Sequence, residues 1–350
     1  MAVLSMHRTH AVDSELPIID FQGFADGDPA LRLAVAGRLG EVARSIGFAV
    51  ITGHGIAPEV GDALHSVGLR FFDQQREDKL AVRRPKNDQN RGYIPYGEET
   101  LVRMSGGESP PDIKEVFAIG PDDVPDSPYF NGPGSYPSFA PNLWPAHPQD
   151  LRPKMLAYWR AMEGLMRDVG EALALALNVP SSTFASVLDQ THTSQLRLLH
   201  YPPLREAPEP GQLRAGEHTD VGMMTILRND DVPGGLQVKG RAGHWLDAPN
   251  VENSFVLNIG DLLMRWTNDH FVSTAHRVAV PPASAGDSAR RLSIGFFVGP
   301  RYDATIACLP NCTHAESPPK YDPVSVHDYR TERFAAGAGD NKPFETLPSD

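Results

Sequence analysis

Several features are scarce in this chain, and each scarcity argues against a class of function. Among its 350 residues, no apolar segment approaches the roughly 20 residues that a membrane helix needs. The first ten residues contain no apolar core of the kind that a secretory signal carries, so we expect a cytoplasmic protein. Acidic residues outnumber basic ones, and the formal net charge of −12 argues against nucleic acid or an anionic membrane as a partner.

Cysteine is scarce as well. Cys308 and Cys312 are the two cysteines, and no further Cys or His lies at zinc-like spacing beside this pair. Because no export signal is evident, we predict free thiols rather than a disulfide. The sequence also lacks a Gly-x-Gly-x-x-Gly motif after a predicted strand, which argues against a dinucleotide-binding loop.

The first half of the chain mixes helix and strand patterns behind a lead-in over residues 1–15. Apolar residues at three- and four-residue spacing are typical of amphipathic helices, and short apolar runs are typical of strands. On these patterns we predict helices over 29–46, 58–75 and 150–178, and strands over 16–21 and 47–51.

The remaining segments differ in composition. Residues 86–150 are rich in proline and glycine and are predicted to be an irregular, functional loop region, with 132–142 as a surface excursion. Residues 195–300 read as short strands separated by turns. A short helix is predicted near 324–335, followed by a polar tail.

Two histidines and one aspartate form the most informative motif. Residues i and i+2 of a strand point to the same face, so His218 and Asp220 can converge on one ion while Thr219 points away. The third ligand must come from a distant strand, and His276 lies in a segment of that kind. Two imidazoles and one carboxylate are the ligands that bind non-haem Fe(II) and leave coordination positions open.

A second motif follows soon after. Arg291 and Ser293 are two residues apart, so a guanidinium and a hydroxyl on one strand face can bind a carboxylate together. Arg290 points to the opposite face of the same predicted strand, and the spacing to Ser293 therefore selects Arg291.

Together these motifs resemble the Fe(II)/2-oxoglutarate-dependent dioxygenases of the isopenicillin N synthase-like family. The resemblance covers most of the chain. It implies an α+β, mainly β fold, with a double-stranded β-helix (jelly-roll) core and flanking N-terminal helices. The matching segments are 16–21, 47–56, 196–203, 218–220, 234–238, 258–261, 267–268, 273–277 and 291–297, with Trp245.

The resemblance also implies roles for single residues. The implied Fe(II) ligands are His218, Asp220 and His276, and the implied 2-oxoglutarate contacts are Arg291, Ser293 and Tyr201. The candidate substrate contacts are Arg91, Tyr93, Tyr96, Phe117, Arg197 and Phe297.

The implied division of the chain has four parts, which form either one integrated domain or an N-terminal region and a catalytic domain. These are an N-terminal region with substrate-side loops, a supporting helix region, a jelly-roll catalytic core, and a C-terminal lid and tail. Their bounds are 1–150, 151–190, 191–300 and 301–350.

The implied reaction consumes O2 and 2-oxoglutarate, releases succinate and CO2, and oxidises a small organic molecule of specialised metabolism. The carboxylate of Asp220 occupies the position that iron-dependent halogenases leave to chloride. Hydroxylation, desaturation or cyclisation is therefore favoured over halogenation, and the sequence does not rank the three. The sequence does not indicate an oligomeric state either.

Two alternatives stay open on the sequence alone. Leu199 stands where many plant members have asparagine, and the oxidase branch that works without 2-oxoglutarate also has an apolar residue there. An iron oxidase acting on an amino-acid or peptide-like substrate is the first alternative, and a catalytically silent jelly-roll binding protein is the second.

The roles of some candidate substrate contacts also stay open. Arg197 either binds an anionic substrate or forms an ion pair within the protein. The aromatic candidates in 86–150 either line the pocket or pack their loop onto the barrel.

Overall fold

The computed structural model describes residues 15–132 and 134–338. Most of the predicted lead-in and the polar tail lie outside the described residues. The strands are β1 (Ile18–Asp20), β2 (Phe48–Thr52), β3 (Gly92–Ile94), β4 (Glu115–Ile119), β5 (Gln195–Tyr201), β6 (Ala215–His218), β7 (Met224–Arg228), β8 (Leu236–Lys239), β9 (Trp245–Asp247), β10 (Phe255–Ile259), β11 (His276–Val278), β12 (Arg291–Val298), β13 (Thr305–Ile306) and β14 (Val324–Ser325). The helices are α1 (Pro29–Ser45), α2 (Pro58–Phe72), α3 (Arg76–Leu80), α4 (Pro128–Asn131), α5 (Leu151–Ala176), α6 (Ser182–Ala185), α7 (Asp261–Trp266) and α8 (Val326–Ala338).

Two β-sheets assembled from distant segments form the core. The large sheet has the strand order β1-β2-β10-β7-β12-β5-β4-β3 and is antiparallel except where β1 pairs with β2. The small sheet has the order β6-β11-β8-β9. Side chains from both sheets line one cavity between them, as in a jelly roll. The predicted α+β fold with a jelly-roll core is therefore confirmed.

The neighbouring strands β5 and β12 determine which residues face the cavity. Their antiparallel register places Tyr201 opposite Arg291 and Gln195 opposite Phe297. Because successive side chains of a strand point to opposite faces, every second residue of each strand faces the cavity. The residues between them face the helices that cover the outside of the sheet.

The long helix α5 lies against the outer face of the large sheet. Its buried stripe includes Met155, Met162 and Val169, each two turns from the next. These residues belong to the main hydrophobic cluster, and α1 and α2 also pack against α5. The helices predicted over 29–46, 58–75 and 150–178 are all present, and the apolar stripe of the last one is core, as predicted.

The prediction of an irregular region over 86–150 is wrong in part. β3 and β4 lie in this region and extend the large sheet, with β4 paired to β5. Every residue of β4 is buried, because both faces of the strand are covered, so its sequence lacks the apolar–polar alternation of a half-exposed strand. The segment predicted to be a surface excursion is also buried in part: Phe139 is buried and packs edge-on against Phe130.

Three smaller predictions concern the rest of the chain. Cys308 and Cys312 are free thiols, as predicted. The helix predicted near 324–335 is α8. Within 15–132 and 134–338, no helix combines the length and the apolar character needed to cross a bilayer.

Candidate active site

The three predicted metal ligands converge at one point of the cavity. His218 ends β6 and His276 begins β11, and the antiparallel pairing of these strands places the two residues side by side. Each Nε2 atom lies 3.8 Å from Oδ1 of Asp220. One donor atom from each of the three residues lies within 4.8 Å of the others. No second group of three such donors occurs in the described part of the chain.

Hydrogen bonds orient both imidazoles toward a common centre. Nδ1 of His218 lies 2.7 Å from the carbonyl oxygen of Gly216, and Nδ1 of His276 lies 3.1 Å from that of Thr274. A carbonyl can only accept, so each ring carries its proton on Nδ1 and presents a free lone pair on Nε2. Burial, together with the neighbouring His276, lowers the pKa of His218 to about 3, which keeps this ring neutral at physiological pH.

Asp220 is oriented in a similar way. Its Oδ2 accepts hydrogen bonds from the Thr225 hydroxyl at 2.6 Å and from the Asn258 amide at 2.7 Å. Its Oδ1, the atom that faces both imidazoles, is left for a cation. Burial alone would raise the pKa of Asp220, but the imidazoles and these two hydrogen bonds hold it below its usual value. The Nε2 atoms of two imidazoles and one ionised carboxylate are a donor set that fits Fe(II).

Arg291 lies at one end of the same cavity and is deeply buried. It is 2% exposed, and its guanidinium donates to Ser293 Oγ at 3.1 Å, to Asn229 Oδ1 at 2.9 Å and to the Asp230 carbonyl at 3.0 Å. None of the described carboxylates forms an ion pair with it within 4.0 Å. Because a buried cation without a counter-ion is unfavourable, this end of the cavity fits an anionic ligand.

Tyr201 and Arg197 occupy the cavity face of β5. Tyr201 lies opposite Arg291 in register, and burial raises the pKa of its phenol, so the hydroxyl stays protonated and can donate. Arg197 lines the cavity, but its Nη2 donates to Glu99 Oε1 at 2.5 Å. Burial opposes the ionisation of Glu99, yet Arg197 and Lys114 hold its pKa well below the usual range. Of the two roles open for Arg197, the ion pair within the protein is present.

Four predicted substrate contacts lie outside the cavity. Arg91 is enclosed by loop backbone and donates to two of its carbonyls. Tyr93 and Phe117 lie opposite each other on β3 and β4 and face the helices, where both contact the ring of Phe71. Tyr96 is 52% exposed, at the surface. The structure therefore does not bring these four residues to the cavity, because strand alternation turns two of them outward and the loop directs the others elsewhere.

Lys114 lines the cavity, although sequence patterns alone did not indicate it. It directly precedes β4 and is three residues from Phe117, so the two side chains lie on opposite faces. Its Nζ forms ion pairs with Asp112 at 2.5 Å and with Glu99 at 3.4 Å. Strand alternation places Lys114 and Phe117 on opposite faces, but it does not show which of the two faces the cavity. That assignment requires the register of β4 on β5.

The cavity extends beyond the triad and the Arg291 end. Its volume is about 1080 Å³, including its opening to solvent. The 3-10 turn Leu101–Ser105 and helix α8 form its outer side, opposite the two sheets. Phe297, the sixth predicted substrate contact, also lines it, and the Arg197 guanidinium lies 5.7 Å from the centre of its ring.

Two known protein families match this chain, one in each half. Residues 16–147 match the family described as the N-terminal region of non-haem dioxygenase in morphine synthesis. Residues 192–300 match the 2OG-Fe(II) oxygenase superfamily, and this segment contains all three triad residues.

Individual relatives align over most of the chain. The 2-oxoglutarate-Fe(II) type oxidoreductase hxnY of Emericella nidulans is 36% identical over 89% of this chain and 87% of its own length. Validamycin A dioxygenase of Streptomyces hygroscopicus subsp. limoneus is 31% identical over 77% of this chain and 73% of its own length. The structure of full-length Neurospora crassa T7H in complex with alpha-KG and thymine is 34% identical, covers 92% of this chain and 96% of that chain, and has a TM-score of 0.79.

These matches decide between the alternatives that the sequence left open. The relative hxnY is named a 2-oxoglutarate-Fe(II) type oxidoreductase, and the T7H structure contains alpha-KG, which is 2-oxoglutarate. Both observations favour a catalytic, 2-oxoglutarate-using protein over an oxidase or a silent jelly roll. The chain therefore belongs to the 2OG-Fe(II) oxygenase superfamily and is an Fe(II)/2-oxoglutarate-dependent dioxygenase of the isopenicillin N synthase-like type.

Proposed function

We propose that the His218–Asp220–His276 triad holds the catalytic Fe(II) and that the Arg291 end of the cavity binds 2-oxoglutarate. The geometry at Asp220 carries this proposal: Oδ2 is hydrogen-bonded, while Oδ1 and two unprotonated imidazole nitrogens face one another. When bound there, Fe(II) supplies the redox chemistry by which O2 converts 2-oxoglutarate to succinate and CO2 and oxidises a second molecule.

Arg291 is suited to bind the far carboxylate of 2-oxoglutarate. Its Nε is engaged by Ser293, while each terminal nitrogen makes one hydrogen bond, to Asn229 or to Asp230, and so keeps a second N–H. Two such N–H groups match the two oxygens of a carboxylate. The protonated hydroxyl of Tyr201, at the same end of the cavity, offers a further donor.

The strand register shows where the triad lies relative to Arg291 along the cavity. Arg291 pairs with Tyr201 at one end of β12, and Phe297, six residues further along, pairs with Thr225 of β7. The hydroxyl of Thr225 binds the metal ligand Asp220, so the triad lies at the level of Phe297. The space beyond this level, toward α8, is therefore left for the molecule that is oxidised.

That molecule is a small organic compound. The T7H complex, which has the same fold, holds thymine in addition to alpha-KG, and both are small molecules. Because Asp220 supplies a carboxylate to the triad, the reaction is hydroxylation or a related oxidation, such as desaturation or cyclisation, rather than halogenation.

Anaerobic titration of the Fe(II)-loaded protein with 2-oxoglutarate tests the proposal. We expect a visible metal-to-ligand charge-transfer band that saturates with 2-oxoglutarate. Arg291→Met should keep the bound iron but raise the Kd for 2-oxoglutarate on the order of a hundredfold, because removing one partner of a desolvated ion pair costs about 3 kcal/mol or more.

Arg290→Met is the matched control. Arg290 is adjacent in the chain but lies on the outer face, where it donates to Asp73 and His200. This variant should bind 2-oxoglutarate as the wild type does. If the iron-loaded wild type gives no band, 2-oxoglutarate does not chelate this centre. If Arg291→Met leaves the Kd unchanged, the carboxylate anchor lies elsewhere.

A further inference from the structure

Two of the cations on the cavity wall are already neutralised within the protein. Lys114 forms ion pairs with Asp112 and Glu99, and Arg197 forms an ion pair with Glu99. The charges of these two cations and two carboxylates therefore cancel on this side of the cavity. At the other end, the charge of Arg291 would be balanced by the far carboxylate of 2-oxoglutarate.

Arg330, in the first half of α8, is a further cavity cation, and it has no such partner among the described residues. It lines the cavity, and its Nη1 donates to the hydroxyl of Thr193. Within 15–132 and 134–338, its Nε and Nη2 have no acceptor and no carboxylate forms an ion pair with it. Burial lowers its pKa to about 10, so the side chain is still a cation at neutral pH.

The surroundings of Arg330 add positive rather than negative charge. Arg91 lies close enough that burial and, after it, the charge of Arg330 lower the pKa of Arg91 to about 9. Asp88 borders a second cavity that adjoins Arg330, but its carboxylate accepts a hydrogen bond from the Tyr136 hydroxyl and forms no ion pair with Arg330. Two partly desolvated cations near each other are unfavourable unless an anion joins them.

Arg330 is separated from the 2-oxoglutarate end by the triad. The N–H of Thr193 donates to the carbonyl of Gly299 at 2.9 Å, which continues the pairing of β5 with β12 beyond Phe297. The triad lies at the level of Phe297, and Arg291 lies six residues back on the same strand. An anion on Arg330 would therefore be on the side left for the oxidised molecule.

We propose that Arg330 binds a carboxylate of the oxidised substrate, so that the substrates of this dioxygenase are small organic acids. This inference rests on the proposed function, because it takes the Arg291 end to be occupied by 2-oxoglutarate. Leu101, Met104 and Phe334 also line the outer side of the cavity and provide apolar surface for the body of the acid. Arg330 is thus a binding residue for the substrate, distinct from the anchor of the co-substrate.

Acids compared with their own amides test this inference. The probes are octanoate, 4-phenylbutyrate and N-acetylphenylalanine, each paired with its primary amide. Each probe is added without oxygen to protein loaded with Fe(II) and 2-oxoglutarate, and binding is followed by the change in the charge-transfer band. We expect at least one acid to change the band with a saturable dependence, and its amide to bind far more weakly.

Variants then assign the effect to Arg330. Arg330→Met should weaken binding of the acid roughly ten- to a hundredfold, because a charge-assisted hydrogen bond is lost, and should keep the affinity for 2-oxoglutarate. Arg330→Lys should restore part of the binding. Arg241→Met removes the same charge from an exposed turn and should change neither affinity.

The outcomes separate the two proposals. A wild-type protein that gives no band with 2-oxoglutarate would reject the proposed function before any acid is added. If the band is present, the organic-acid inference is overturned by any of three results: no acid changes the band, amides bind as well as acids, or Arg330→Met binds the acid as tightly as the wild type does.

Discussion

Removing the hydroxyl of Thr225 would show how far the iron site depends on groups that do not touch the metal. Thr225→Val replaces the hydroxyl by a methyl group of similar size and leaves Asn258 as the remaining donor to Oδ2 of Asp220. Loss of a group that orients a metal ligand typically costs about ten- to a hundredfold in metal affinity. Because one of two donors is kept, we expect a loss near the lower limit, about tenfold, which corresponds to about 1.4 kcal/mol.

The affinity of the apoprotein for Fe(II) is measured without oxygen, by competition with a chromogenic chelator. Thr225→Ser keeps the hydroxyl and is the matched control, with Fe(II) affinity close to that of the wild type. Asp220→Ala should abolish specific binding and sets the lower limit of the assay. Thermal unfolding of each apoprotein shows that the variants are folded. A folded Thr225→Val protein with wild-type Fe(II) affinity would refute the view that hydrogen bonds at Oδ2 orient this ligand.

Two further predictions concern the scaffold. Burial opposes the ionisation of Glu115, but hydrogen bonds from His200 and Lys79 hold its pKa below the usual 4.5, so its stabilising effect is present above that pH and is lost as the pH falls. Glu115→Gln should lower the free energy of unfolding at pH 7 by about 3 kcal/mol, with a much smaller difference near pH 3; equal denaturant midpoints at pH 7 would contradict this. Arg333→Met removes the 3.0 Å ion pair to Asp261 and should speed hydrogen exchange in α8 about fivefold, since a partly exposed pair contributes about 1 kcal/mol. Unchanged exchange in α8, measured by mass spectrometry with β5 as the internal reference, would show that this pair does not hold the helix.

Local spacing was sufficient to pair His218 with Asp220 and Arg291 with Ser293. His218 and Asp220, like Arg291 and Ser293, are two residues apart, and strand alternation alone places such residues on one face. The partner His276 could be selected because the family resemblance supplied the distant strand. The register that pairs it with His218 was not needed for that prediction, although the register is what brings the two rings together.

The substrate side depended on information that local patterns do not contain. Phe117 was predicted to be a pocket residue, whereas Lys114 is the residue that faces the cavity, because the register of β4 against β5 turns one inward and the other outward. That register is set by contacts between segments far apart in the chain. Arg330 was not predicted for a similar reason: its helix could be predicted from local periodicity, but the docking of that helix over the cavity could not.

The outer side of the cavity has a consequence for how enzymes of this kind diversify. The turn Leu101–Ser105 and α8 contact each other, and neither contributes a residue to the triad or to the Arg291 end. A graft that replaces both segments together with those of a relative would therefore exchange the outer side of the cavity without changing the sequence of the iron-binding strands. A graft of one segment alone would break a matched contact, so productive chimaeras of this scaffold should exchange the two as a pair.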